Sequence, residues 1–230
     1  MRALLTCTAL LTAGAAAEAG DLTDLEMRWL KAGWPVIAYA KDHKMPLDIV
    51  VQPQSRAGDA PLAMGFVDGR CKLVLAMRGN PEAEATLERV EPPLLGPVVE
   101  AMVAHELGHC WRYTNGDWHT LPVGFVDLGD DVPTGDAELH QLARAMRDTR
   151  REEGFADLVG LAWTRARHPA QYGRVHAWFE SVRAEQPVPG AHHDTRVWLK
   201  LAREPGVFAS GATPFEQARV VWKQGLPAAH

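Results

Sequence analysis

No block of lysines and arginines runs through this sequence. Its 24 Lys and Arg residues are outnumbered by 29 Asp and Glu, a formal net charge of −5, so the basic stripe of a nucleic-acid binder is missing. Arg147, Arg150 and Arg151 lie close together, but Asp148, Glu152 and Glu153 interrupt them, the pattern of a solvated helix face. Past the N-terminus no window approaches 18 apolar residues, so no stable membrane insertion is expected of the mature chain. Internal repeats and low-complexity segments are also absent. Cysteine is scarce, with Cys7, Cys71 and Cys110 alone. What remains is ordinary globular composition, 47% hydrophobic and 23% charged over 230 residues, enough for one domain with a real core.

The N-terminus reads as a secretory signal peptide over 1–19. Arg2 supplies the positive start, Ala3 to Ala17 is uncharged, and Ala17-Glu18-Ala19 fits small-x-small cleavage. The remaining 20–230 is expected to be a single domain, exported to a bacterial periplasm or secreted. Cleavage removes Cys7. An oxidising compartment then admits a disulfide between Cys71 and Cys110, whereas in its absence both would pack as small hydrophobes.

The mature chain divides into a short mixed part and a helical half. Leu22 to Tyr39 has apolar residues at helical spacing, with Pro35 expected to break it. Leu47 to Val51 reads as a strand between Pro46 and Pro53. Ala63 to Val67 and Cys71 to Met77 flank Asp68-Gly69, a strong hairpin signal. The expected sheet is small and mostly antiparallel. Pro97 to Tyr113 then reads as an apolar helix stopped by Asn115-Gly116. Residues 115–135 form a long loop, a candidate lid. Further helices are expected over about 136–167, 170–185 and 193–203, and from Thr213-Pro214-Phe215-Glu216, a capping box. Most of the eight tryptophans fall in apolar helical patterns and are expected in the core; Trp118 is the one candidate for a cleft wall.

The segment His105-Glu106-Leu107-Gly108-His109 carries the chemistry. On a helix, positions i and i+4 share a face, so two imidazoles can converge on one tetrahedral Zn2+. Glu106 is offset toward the open side of the metal, where a carboxylate can take a proton from zinc-bound water and pass it to a leaving amine. Two histidines and a glutamate on so apolar a helix would be costly to bury without a partner, and a metal supplies one.

This motif resembles the zincin metallopeptidases. The metzincin continuation needs glycine and histidine where Arg112 and Asn115 stand, which excludes that branch. Glu153-Gly154-Phe155-Ala156-Asp157 instead resembles the second motif of gluzincins, in the form found in the integral-membrane CAAX proteases and their soluble periplasmic relatives. The resemblance implies an α+β, zincin-like fold, with Glu153 as third metal ligand and Asp157 fixing a ligating histidine. Glu152 competes with Glu153 for the ligand role, since the two point about 100° apart and only one can face the metal. A downstream histidine would act as oxyanion donor; His193 is the candidate beside His192, with Arg196 a weaker one and Asp194 or Thr195 capping the next helix. Cys71 to Met77, the last strand before the metal helix, would edge the cleft and pair with an extended protein or peptide substrate. Cys110, next to His109, points away from the metal. The implied activity is a zinc metalloendopeptidase. A catalytically silent zinc-binding or chaperone-like protein, and a zinc amidase acting on cell-wall peptides, are the alternatives; oligomeric state is left open.

Overall fold

The computed structural model describes residues 21–55, 59–116, 137–184 and 193–228, with side chains from 145 onward in the third segment and to 227 in the last. The expected signal peptide, Trp118, His192 and nearly all of the 115–135 loop lie outside the described residues.

Helix α1 (Asp24–Asp42) opens on a reciprocal cap in which the Thr23 hydroxyl accepts from the Glu26 amide and the Glu26 carboxylate accepts from the Thr23 amide. Glu26 also takes two hydrogen bonds from Arg78, beyond the sheet, at 2.7 and 3.0 Å. Contrary to expectation, α1 runs through Pro35. A proline removes the partner of the carbonyl four residues back, here that of Lys31 on the exposed face, where water can replace it.

Strands β1 (Leu47–Val51), β2 (Leu62–Val67) and β3 (Arg70–Leu75) form one sheet in the order β1-β3-β2. The hairpin is present: β2 and β3 pair antiparallel across Asp68 and Gly69, both in the left-handed region, as a two-residue turn of this kind requires. The sheet as a whole is mixed and not mostly antiparallel, because β1 pairs parallel to β3. The chain crosses from β1 to the far edge before returning to the middle, so β3 is central. Cys71, Leu73 and Leu75 alternate onto one buried face.

Two helices follow. Helix α2 (Pro81–Glu88), capped by Asn80, is not apparent in the sequence pattern. Helix α3 (Pro92–Asn115) starts five residues earlier than Pro97, which it accommodates, and stops at Gly116, in the left-handed region. Then come α4 (Ala137–Arg167), α5 (Tyr172–Ala184), α6 (Arg196–Leu201) and α7 (Pro214–Gly225), the last with the expected capping box.

Small residues set the approach of α3 to α4. A Cβ on Gly160 would sit 2.7 Å from the Ala101 carbonyl oxygen, and one on Gly108 would sit 3.0 Å from the Ala156 Cα. Larger side chains at either place would separate the two helices that carry the motifs. The Cys71–Cys110 disulfide ties β3 to α3. Trp29, Trp163, Trp198 and Trp222 are buried as expected, but Trp34 is 51% exposed. One apolar cluster draws on helices α1 to α7 and on the sheet among the described residues. The architecture is therefore α+β. Among the described residues no helix is long and apolar enough to cross a membrane.

Candidate metal centre

Helix α3 presents His105, Glu106 and His109, and α4 faces it with Glu153 and Asp157. The two histidine Nε2 atoms lie 3.2 Å apart. Glu153 approaches both, with Oε1 3.4 Å from His109 Nε2 and Oε2 3.6 Å from His105 Nε2. One ligand atom from each of the three residues falls within 4.8 Å of the others, and the group could hold a metal ion.

The separations themselves test the fit. Ligand bonds of about 2.0–2.1 Å in a tetrahedron put neighbouring donors about 3.3 Å apart. The two imidazole nitrogens, 3.2 Å apart, match such an edge, and each has a different Glu153 oxygen close by, at 3.4 and 3.6 Å. The charge accounting agrees. With both histidines neutral, as ligation requires, ionised Glu106, Glu153 and Asp157 against the guanidinium of Arg183 leave an excess of two negative charges, which a divalent cation would cancel.

The other nitrogen of each histidine faces a carboxylate from α4. His105 Nδ1 donates to Asp157 Oδ1 at 2.9 Å. Asp157 is wholly buried and is fixed in turn by the Thr195 hydroxyl at 2.5 Å and by two bonds from Arg183 at 2.7 and 2.9 Å. Arg183 reaches Glu153 Oε2 as well, at 3.2 Å. His109 Nδ1 is buried without an aligned hydrogen bond, and Glu152 Oε1 stands 3.4 Å from it, joined to Arg112.

These contacts move the acid–base properties of the group. Burial pushes the Glu106 carboxyl up, His105 and His109 pull it partly back, and the net shift is upward. Burial would raise Glu153 too, but His109, His105 and Arg183 outweigh it and bring it down to about 2. For His109 burial opposes the charged form, and the carboxylates of Glu152, Glu153 and Glu106 overcome it and push it up to about 10. Asp157 stays below the usual carboxylate range despite its burial, because Arg183 and His105 surround it.

The group opens into a cavity of about 470 Å³. Glu106 and His193 both line it, and His193 Nε2 lies 3.7 Å from Glu153 Oε2. Four sequence expectations require correction. Ala60 to Met64, leading into and along β2, line the cavity, so the strand edging it is β2; β3 is enclosed by two neighbours. Arg196 pairs with Asp194 at 2.7 Å and its side chain is 57% exposed; the cation in the cavity wall is Arg183. Thr195 occupies the N-cap position of α6 without a side-chain cap, its hydroxyl being committed to Asp157. The helix face read as solvated is not so: Arg147, Arg150 and Arg151 are buried, and Glu152, which is not one of the three converging ligands, bridges Arg112 and His109.

Arg183 and Trp178, on α5, were not legible as cavity residues. Their part of the sequence carries no motif, and only the packing of α5 beside α4 brings them in. No protein-family model, no curated protein and no solved structure matches this chain.

Proposed function

We propose that this chain is an exported zinc-dependent peptidase with a zincin-like site, in which His105, His109 and Glu153 hold the metal and Glu106 is the general base. One observation carries the reading: two imidazole nitrogens a tetrahedral edge apart, each faced by an oxygen of the Glu153 carboxylate, with a buried carboxylate next to His105 in sequence and an open cavity in front. The donor set of two imidazoles and a carboxylate suits zinc. Bound there, zinc would supply Lewis acidity toward water and toward a carbonyl.

The chain's own groups account for the rest. Glu106 is held neutral more readily than an ordinary carboxylate by its burial, which suits a group that takes a proton from water and returns it to a leaving amine. His193, at 38% side-chain exposure, stands at the mouth as a donor for a developing oxyanion. Among the described residues no strand pairs with the outer edge of β2, which runs beside the site, where an extended peptide would add as a further strand. Met64, Met102, Tyr113 and Trp178 give the cavity an apolar lining, suited to a large apolar side chain of the substrate. The disulfide supports export, because such bonds persist in oxidising compartments.

The test is metal content by elemental analysis, followed by hydrolysis assays on casein, short peptides and cell-wall peptides. The purified chain is expected to carry about one zinc, lost in His105→Ala. Glu106→Gln should keep the metal and lose about 10²–10⁴-fold in activity. Zinc retained in His105→Ala, or Glu106→Gln as active as the parent, would reject the reading. Turnover of cell-wall peptides alone would make it an amidase.

A further inference from the structure

We propose that Glu152 is a positioning residue for His109, forming with Arg112 a second carboxylate–arginine couple that matches Asp157 and Arg183 at His105. This rests on the zinc reading above. Consecutive residues on α4 embrace one imidazole from both sides. Glu153 Oε1 lies 3.4 Å from His109 Nε2, and Glu152 Oε1 lies 3.4 Å from His109 Nδ1. Two adjacent helical residues diverge by about 100°, which is what allows their carboxylates to reach opposite nitrogens of the ring.

The environment of Glu152 fits the role. Its side chain is 20% exposed, and it is tied to Arg112, 15% exposed, three residues beyond His109 on α3. The carboxylate is thus held from the same helix that carries the histidine. His109 Nδ1 is a buried nitrogen without an aligned hydrogen bond, a costly state that its nearest carboxylate can relieve. Closing the gap to hydrogen-bond length takes about half an ångström. A carboxylate at Nδ1 keeps the proton on that nitrogen and directs the Nε2 lone pair at His105 and Glu153, the arrangement ligation requires. A solvated surface glutamate has none of these contacts.

The experiment is zinc affinity by competition with a chromophoric chelator, on the full mature chain. Glu152→Ala is expected to bind zinc about 10–100-fold more weakly than the parent. Glu152→Gln should fall within a few-fold, since its amide oxygen still accepts from Nδ1. Glu84→Ala, exposed on α2, should change nothing. Cobalt(II) loading adds a readout indifferent to fold stability: the visible ligand-field bands should shift in Glu152→Ala and return in Glu152→Gln. Imidazole ¹⁵N spectra of the zinc-loaded wild type need no variant, and a slowly exchanging proton on His109 Nδ1 is expected. Parental affinity and an unchanged cobalt spectrum in Glu152→Ala, or a freely exchanging Nδ1 proton, overturn the proposal while the zinc reading stands. A wild-type chain that takes up no zinc overturns both.

Discussion

Replacing Arg183 by methionine removes the guanidinium and keeps an unbranched apolar stem, and its effect can be worked out from the contacts. Arg183 donates two hydrogen bonds to Asp157 and one to Glu153, at 2.7, 2.9 and 3.2 Å, and its side chain is 11% exposed. Asp157 keeps His105 and Thr195 but loses its strongest cation, and Glu153 loses one that acts on it after His109 and His105. Removing one partner of a buried ion pair costs about 3–5 kcal/mol, because the other charge is left uncompensated. With a urea slope of about 2 kcal/mol/M, the unfolding midpoint of the metal-free variant should drop by about 1.5–2.5 M. The sign of the pH dependence follows from Glu153. Its folded pKa is about 2, depressed from 4.5, so the stability it contributes is present above about pH 4.5 and is lost as pH falls toward 2. The variant forfeits part of that contribution, so its deficit should be largest near neutrality and should shrink below pH 4.5. Urea titrations in a chelator at pH 7 and pH 4 measure both. A loss under about 1 kcal/mol at pH 7, or a deficit that grows on acidification, would refute the reasoning.

Three further perturbations probe other parts of the structure. Cys71→Ala with Cys110→Ala opens a closure spanning 39 residues and should cost about 3–4 kcal/mol in the chain-entropy picture, read as a lower melting temperature matched by reducing the wild type. Gly154→Ala gains about 1 kcal/mol of helix propensity but sets a Cβ 2.2 Å from the Trp198 ring, which is fully buried; overpacking of about 1–3 kcal/mol wins, and zinc affinity should fall with it, since Glu153 is adjacent. Zinc uptake near pH 7.5 should release a proton from His109, whose pKa of about 10 keeps the metal-free ring charged. Calorimetry in buffers of different ionisation enthalpy counts that proton. The metal-free chain should correspondingly lose stability as pH rises from about 6.5 toward 10, and bound zinc should abolish that trend.

The sequence by itself determined what is local. The spacing His105-Glu106-Leu107-Gly108-His109 needs only a helix to bring two imidazoles to one face. Asp68-Gly69 needs only its own backbone freedom to turn a hairpin, and Thr213 to Glu216 caps its helix within one turn. The second motif likewise named Glu153 and Asp157, which the fold brings to His109 and His105. Even Cys71 and Cys110 could be matched by elimination, once Cys7 is set aside with the expected signal segment. Tertiary structure decided everything that depends on which elements become neighbours. The insertion of β3 between β1 and β2 made β2 the edge beside the cavity, a choice of strand order that alternation along the chain does not encode. The burial of α5 against α4 supplied Arg183, whose position in an unremarkable helical pattern gives no hint that it faces two carboxylates. The part of Glu152 came from the same source: the second motif singled out Glu153, and only the packing of α3 on α4, close at Gly108 and Gly160, brings its neighbour to His109 Nδ1. Short-range geometry is written in residue order. Charge compensation across helices is not, because it depends on distances that exist only after the core has packed.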